Sequence, residues 1–265
     1  MDYIDAIILG LVQGLTEFIP VSSSGHLVIF NYLLGTPDSF AFDVLLNVGT
    51  LSALIVYYRK RIKDLIMRTF VGKEWALLSK LLAATMPAFA IGLLFGNQIK
   101  SLNNMVWVVV VMLVVVGILM IMYGSPNKDA DDTPLETAIN WKVARNVGLA
   151  QAIALIPGTS RSGITILAGL RSNLSAARAA EFSFMLAIPT IAGATIKVMI
   201  LDGGWSYVTA NVGVVLVGNI VSFASGLFAI GFLLRLLSTR GLKDFGWYRI
   251  GLAAVLSVLL VTGII

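Results

Sequence analysis

Continuous runs of Leu, Val, Ile, Ala, Met and Gly recur at about 42–58, 81–97, 105–123, 180–200, 212–234 and 247–265. Each is long enough to cross a hydrocarbon core of about 30 Å as an α-helix. The pattern predicts six spans. A membrane β-barrel would instead show alternating segments of about ten residues. Two further apolar stretches, roughly 3–34 and 143–172, are broken by polar positions. The breaks read Pro20-Val21-Ser22-Ser23-Ser24-Gly25 and Pro157-Gly158-Thr159-Ser160-Arg161-Ser162-Gly163. Both are too polar to face lipid as unwound backbone, which is tolerated at membrane depth only inside protein or against a wet cavity. The pattern therefore predicts two re-entrant helical hairpins, entering from opposite faces, whose tips meet near the midplane.

The chain also repeats itself weakly. Gly10-Leu11-Val12-Gln13 with Ser22, Ser24 and Gly25 matches Gly148-Leu149-Ala150-Gln151 with Ser160, Ser162 and Gly163 at one constant offset, which also pairs Asp43 with Glu181. A shift of one residue aligns Phe89-Ala90-Ile91-Gly92 with Phe228-Ala229-Ile230-Gly231. Each copy holds one broken segment and three spans, and an odd number of spans inverts the second copy in the membrane. The expectation is a single all-α, polytopic integral-membrane domain over residues 1–265. Its first repeat covers about 1–123, a linker about 124–140 and the second repeat about 141–265. The linker region from Ser125 to Thr137, with Pro126, Asp129, Asp131, Asp132 and Pro134, carries no motif.

Composition removes the soluble alternative. Of 265 residues, 58% are hydrophobic and only 12% charged, with a mean hydropathy of +0.91, so the solvent must be lipid. The net charge of +5 does not point to nucleic acid, because the basic residues lie in short connectors. Arg59, Lys60, Arg61, Lys63, Arg68, Lys73 and Lys80 crowd the connector after the first span, which places it in the cytoplasm. Followed along the chain, that topology puts Lys128, Lys142, Arg145, Arg171, Arg178, Arg235, Arg240, Lys243 and Arg249 on the same side. Lys100, Lys197 and Arg161 are the exceptions. Both termini and the mouth of the first hairpin then face outward from a plasma membrane. Asp2 and Asp5 without a preceding Lys or Arg do not resemble a cleavable signal peptide. The absence of cysteine excludes disulfides, thiolate metal sites and a Cys nucleophile.

The candidate chemistry lies in the two breaks. Gln13 and Glu17, four apart, share one helix face. Pro20 ends that helix and leaves Ser22, Ser23, Ser24 and Gly25 as a turn whose N–H groups can bind an anion. His26, the single histidine, follows at once. Ionisable residues inside a membrane segment cost about 2.5–3.5 kcal/mol on insertion scales and are functional candidates by default. A sole histidine beside a serine triplet and a carboxylate has the make-up of a nucleophile and base. The bland alternatives are a helix-pairing carboxylate for Glu17, a packed imidazole for His26 and a packing hydrogen bond for Gln13. In the second break Arg161 sits among hydroxyl residues and glycines, as a guanidinium that forks onto phosphate would. An internal ion pair with Glu17 is its alternative, and both can hold. Asp43 and Glu181 read as helix-end caps. Asn47, Lys197 and Asn219 are accounted for by packing or snorkelling.

Gln-x-x-x-Glu leading into Pro-Val-Ser-Ser-Ser-Gly-His, with a distant Pro-Gly-Thr-Ser-Arg-Ser-Gly-Ile-Thr, resembles the undecaprenyl-diphosphate phosphatases, also known as bacitracin-resistance proteins. The resemblance runs through the whole chain. It implies hydrolysis of undecaprenyl diphosphate to undecaprenyl phosphate, recycling a carrier lipid for peptidoglycan, with a divalent cation such as Mg²⁺ or Ca²⁺. Carried onto this chain, the family's acidic motif is Gln13 and Glu17, its serine and histidine region is Ser22, Ser23 and His26, and its arginine motif is Ser160, Arg161 and Thr165. Many members have Glu where this chain has Gln13, which leaves Glu17 as the carboxylate for the cation.

Residues and resemblance together lead to phosphoryl transfer on a polyprenyl diphosphate. Arg161 and the tip amides hold the diphosphate, with Gln13, Ser22, Ser24, Gly158, Ser160, Ser162 and Thr165 lining it. Ser23 attacks the terminal phosphorus and His26 takes its proton, with His26 or water as alternative nucleophiles. A lipid-phosphate transporter or flippase on the same inverted repeat is the rival. Oligomeric state is left open, a homodimer included.

Overall fold

The computed structural model describes residues 1–36, 40–103, 105–125 and 133–264, without the side chains of Lys100 and Asn103. The middle of the expected linker, with Lys128, and the Lys100 side chain lie outside the described residues. Every regular element among the described residues is an α-helix. The first broken segment is α1 (Tyr3–Phe18) and α2 (Ser23–Leu33); α3 (Phe40–Leu45) and α4 (Asn47–Tyr57) make the first span. The basic connector is α5 (Arg59–Phe70), followed by α6 (Ala76–Leu94), α7 (Gly96–Asn103) and α8 (Val106–Tyr123). After the short α9 (Leu135–Ala138), the second broken segment is α10 (Trp141–Ile153) and α11 (Arg161–Arg171). The chain ends with α12 (Ala176–Leu201), α13 (Gly204–Ala210), α14 (Val212–Arg240) and α15 (Lys243–Val261).

Six stretches are long and apolar enough to cross a membrane: Phe40–Tyr57, Ala76–Leu94, Val106–Tyr123, Ala176–Leu201, Val212–Arg240 and Lys243–Val261. All six coincide with the runs read from the sequence. Most of their surface is not buried by protein, and Leu94, Ile200 and Val261 are largely exposed. Apolar area on that scale is stable only against lipid.

Elements from the two halves of the chain interleave: α1 packs on α14, α4 on α14, α6 on α10 and α8 on α15. Small residues permit the approach. A Cβ on Gly10 would lie 2.5 Å from the Gly218 carbonyl oxygen, and one on Gly14 2.5 Å from that of Ser222. Gly148 meets Ala84 of α6 in the same way, with a would-be Cβ 2.7 Å from its carbonyl oxygen. These contacts seat α1 and α10 deep in the bundle and bring the ends of both to its interior.

α1 starts on a capping box, in which the Asp2 carboxylate accepts from Ile4 N and Asp5 N, while Asp5 accepts from Asp2 N. It stops where Pro20 removes a donor, and Phe18 anchors its end edge-on to Phe184 of α12, ring centroids 5.5 Å apart.

Asp43 lies in the first turn of α3, as expected of a helix-end acid, but Glu181 lies inside α12 and is not a helix-end cap. The Asp43 carboxylate accepts from Asn31 Nδ2 at 2.7 Å. Glu181 joins an ion network, 2.9 Å from Arg61 Nε and 2.7 Å from Arg178 Nη1. Arg249 is not a connector charge either: it lies inside α15 and is fully buried. Counting cations near span ends cannot separate such a residue from its surface neighbours.

Candidate active site

The two turns share one geometry. Ser22 (φ 75, ψ 97) and Ser160 (φ 68, ψ 105) are the N-caps of α2 and α11. Positive φ is costly for a residue with a Cβ, and the same device offsets it in both turns. Ser22 Oγ accepts from Gly25 N at 3.3 Å and contacts Ser24 Oγ at 3.1 Å. Ser160 Oγ accepts from Gly163 N at 3.2 Å and contacts Ser162 Oγ at 3.3 Å. Both turns thus open into helix N-termini, whose free N–H groups and dipole favour an anion.

The tips touch. Gly158 N donates to Ser24 Oγ at 3.1 Å, and Ser162 Oγ donates to the Glu17 carbonyl at 3.2 Å. At the junction the Glu17 carboxylate takes three donors: Arg161 Nη2 at 2.7 Å on Oε1, with Ser23 Oγ at 2.9 Å and Gln13 Nε2 at 3.1 Å on Oε2. Both side chains of the ion pair are only 12% exposed, which strengthens the attraction over a surface pair. Arg161 Nη1 is buried without a hydrogen-bond partner among the described residues. That arm of its fork lies buried behind the Glu17 carboxylate, which itself lines the adjoining cavity.

A cavity of about 500 Å³ opens beside this junction, lined by Gln13, Glu17, Ser23 and Ser24 from the first tip and Pro157 from the second. Asn31, Asp43 and Asn47 form the rest of its polar wall, opposite Leu27, Val28, Val106 and Val109. Asn47 Oδ1 accepts from Gln13 Nε2 at 3.0 Å, so Gln13 ties the α1 wall to the first span. The sequence offered Asn47 as a residue that could line the cavity and Asp43 as a helix-end cap, left both outside the expected site, and did not single out Asn31. The signal available was the spacing of Asp43 and Asn47, the same four residues that singled out Gln13 and Glu17.

Glu17, Ser23, Gln13, Ser24 and Arg161 thus come together, while other expected residues serve the turns. Ser22 and Ser160 spend their hydroxyls on capping. Thr165 Oγ1 donates to the Arg161 carbonyl at 2.7 Å and meets Ser183 Oγ at 2.6 Å, which braces the backbone beneath Arg161. His26 stands apart from Ser23 in its bonding. Its Nδ1 lies 2.7 Å from the Ser22 carbonyl and its Nε2 2.8 Å from the Tyr248 hydroxyl, with the two rings stacked. A carbonyl only accepts, so Nδ1 carries the proton, and Nε2 accepts from the Tyr248 hydroxyl whenever the ring is neutral. Both nitrogens are engaged without Ser23.

Glu17, Asp43, the amide oxygens of Asn31 and Asn47 and the Ser23 hydroxyl are all hard oxygen donors around one cavity. Such a set fits Mg²⁺ or Ca²⁺ rather than a softer metal. No cluster of three or more His, Cys, Asp or Glu occurs among the described residues.

Fold and site define a polytopic α-helical membrane protein with an ion-paired, anion-directed cavity where two helix breaks meet. The chain belongs to the family of the bacitracin resistance protein BacA, whose model matches residues 6–255. It is similar over nearly its full length to proteins named undecaprenyl-diphosphatase. That of Bdellovibrio bacteriovorus is 36% identical across 99% of this chain and 98% of the relative. That of Porphyromonas gingivalis is 38% identical across 100% and 99%, and that of Flavobacterium psychrophilum 38% across 97% and 95%.

Proposed function

We infer that this protein is an undecaprenyl-diphosphatase: it removes the terminal phosphate of a polyprenyl diphosphate in the membrane and returns the monophosphate carrier lipid. The observation that carries the reading is the junction of Glu17, Ser23 and Arg161, in which a hydroxyl and a carboxylate line one cavity and the guanidinium pairs with that carboxylate from behind, between two helix N-termini. Family membership and the full-length likeness to named undecaprenyl-diphosphatases support it.

In this reading the diphosphate enters with its charge directed to the α2 and α11 N-termini, and Arg161 turns its unpartnered Nη1 onto a phosphoryl oxygen. Ser23 Oγ attacks the terminal phosphorus and the bridging P–O bond breaks. The electron pair leaves with the lipid monophosphate, and Glu17 accepts the Ser23 proton across the existing hydrogen bond. Water then attacks the phosphoserine, releasing inorganic phosphate and restoring the hydroxyl. Glu17 replaces His26 as the base because it already holds the Ser23 hydroxyl. A divalent cation beside Glu17, with Asp43 and Asn47 in reach of the same cavity, would supply charge neutralisation of the diphosphate. A pure carrier would need the arginine but not a serine hydrogen-bonded to a carboxylate.

The paired turn geometry and the odd number of spans per repeat support reading α1–α2 and α10–α11 as re-entrant hairpins of an inverted repeat, the first opening outward. The isoprenoid chain then lies in the groove between α6 and α12, lined by Phe89, Gly92, Pro189 and Gly193. Phe40 borders both this groove and the polar cavity. The decisive experiment is phosphate release from undecaprenyl diphosphate by detergent-purified protein, with and without EDTA, for the wild type, Ser23→Ala and Glu17→Gln. Cation-dependent release lost in both variants is expected. Folded wild type that releases nothing overturns the reading.

A further inference from the structure

The guanidinium of Arg249 is fully buried in α15. Its Nη2 donates to the Gly158 carbonyl at 2.7 Å and to the Met112 carbonyl of α8 at 3.1 Å. Nε and Nη1 have no hydrogen-bond partner among the described residues. A cation kept at membrane depth with only carbonyls for company is costly, and a methionine or leucine there would pack without that cost. The neighbouring residue, Tyr248, is half exposed yet reaches inward to His26 Nε2 at 2.8 Å. Two consecutive residues of one helix therefore bond to both tips, Tyr248 to the first and Arg249 to the second.

We propose that Tyr248 and Arg249 act as one clamp that holds the two tips in register, and that both are positioning residues for the reaction; this rests on the phosphatase reading above. Gly158 is the point of control on the second tip. Its N–H is held by Ser24, its carbonyl by Arg249, and at φ 88 its would-be Cβ lies 2.6 Å from the Val109 carbonyl oxygen of α8. A side chain has no room there, so the backbone at Pro157–Gly158 is fixed from three directions. Arg161 follows one short turn later, and its reach to Glu17 depends on where that backbone sits. On the first tip, Tyr248 fixes the ring of His26, and His26 Nδ1 in turn holds the carbonyl of Ser22, the residue before Ser23. The clamp itself is seated by close packing of α15 on α8, where a Cβ on Gly246 would lie 2.7 Å from the Gly117 carbonyl oxygen.

Neither residue lines the cavity, so removing either should slow the chemical step more than it weakens substrate binding. The test compares wild type, Tyr248→Phe, Arg249→Lys and Arg249→Met for kcat and KM in phosphate release from farnesyl diphosphate, with thermal unfolding of each in detergent. Tyr248→Phe keeps the stacked ring and loses only the hydroxyl. It should lower kcat about 10-fold or more, as expected for a reacting group displaced by a fraction of an ångström, with KM and the melting temperature unchanged. Arg249→Lys, which still reaches one carbonyl, should recover part of the kcat lost in Arg249→Met. Wild-type kcat in Tyr248→Phe overturns the clamp, and so does activity in both Arg249 variants that falls only in step with the folded fraction. A wild type without phosphate release overturns the phosphatase reading instead.

Discussion

Replacing Arg161 with glutamine tests the junction most directly, because glutamine keeps a hydrogen-bond donor and much of the volume while removing the charge. Two consequences separate. For stability, breaking a buried ion pair costs about 3–5 kcal/mol when the partner is left uncompensated. Here the Glu17 carboxylate retains Ser23 and Gln13 as donors, so the loss should fall nearer the 1–3 kcal/mol of one unsatisfied group. For activity, the variant loses the guanidinium that the proposed mechanism sets against developing charge on the phosphoryl oxygens. Removal of one preorganised donor costs about 2.7–4 kcal/mol of transition-state stabilisation. At about 1.36 kcal/mol per decade that is a fall in kcat/KM of roughly 10²–10³. Lysine at the same position keeps charge but not the fork and should lie between. Phosphate release at several concentrations of farnesyl diphosphate gives kcat/KM, and detergent melting curves give the folded fraction. A folded Arg161→Gln protein within about threefold of wild type, where a decade is 1.36 kcal/mol, would refute the assigned role.

Three further outcomes follow from other parts of the molecule. Gly14→Ala forces a Cβ against the backbone of Ser222 and Gly226; overpacking of this kind costs about 1–3 kcal/mol. The detergent melting temperature should drop several degrees, whereas Gly231→Ala, whose Cβ would meet nothing within 4 Å, should leave it unchanged. Equal melting temperatures would refute the packing argument. Gly193→Leu fills the α6–α12 groove without a clash, since a Cβ there also meets nothing within 4 Å. It should raise KM for undecaprenyl diphosphate by roughly 4–15-fold, if one or two buried methylenes at about 0.8 kcal/mol each are displaced. KM for a five-carbon prenyl diphosphate should hold, and a rise for both would place the tail elsewhere. Glu136 accepts from Arg61 at 2.8 Å, and this hydrogen bond holds its carboxyl below the usual range. A depressed folded-state value means the stabilisation is complete above the unfolded pKa of about 4.3 and fades as pH falls through the folded value. Glu136→Gln should lower the melting temperature by about 2–4 °C at pH 7, for an ion pair worth up to about 1 kcal/mol. The difference should vanish in acid, and a constant difference down to pH 3 would contradict the linkage.

How far the chain could be read depended on whether a feature was local. The broken helices lie within about two residues of their expected ends, because Pro20, Pro157 and the serine caps act within one turn of themselves. The ion pair of Glu17 with Arg161 was legible as an alternative, since two polar breaks in an otherwise apolar chain have little else to meet. For His26 the alternative of a packed imidazole bonded to a carbonyl was legible and matches its contact with Ser22, whereas its second partner, Tyr248, was not, because it lies at the far end of the sequence. Ser160 and Thr165 show a different limit. A hydroxyl near a helix N-terminus can bind a phosphate or serve the helix with the same atom, and in the fold Ser160 caps α11 while Thr165 donates to the Arg161 carbonyl.

The division of the charge pair between two tips has its own consequence. In the register that aligns Gly10 with Gly148, Glu17 faces Leu155, Ser23 faces Arg161 and His26 faces Ile164. Neither half of the chain holds both the acid and the cation, so the site exists only when the halves interleave. A lone carboxylate or guanidinium at that depth would cost about 2.5–3.5 kcal/mol on insertion scales. Paired at 2.7 Å they neutralise each other, while Nη1 of Arg161 keeps no hydrogen-bond partner among the described residues. In the proposed mechanism a ligand oxygen adds to Nη1 beside the existing Glu17 pair, so no bare charge has to be stripped of water. The same pairing that makes the tips stable in lipid thus leaves them ready to bind an anion, and a variant that removes either charge should impair assembly and catalysis together.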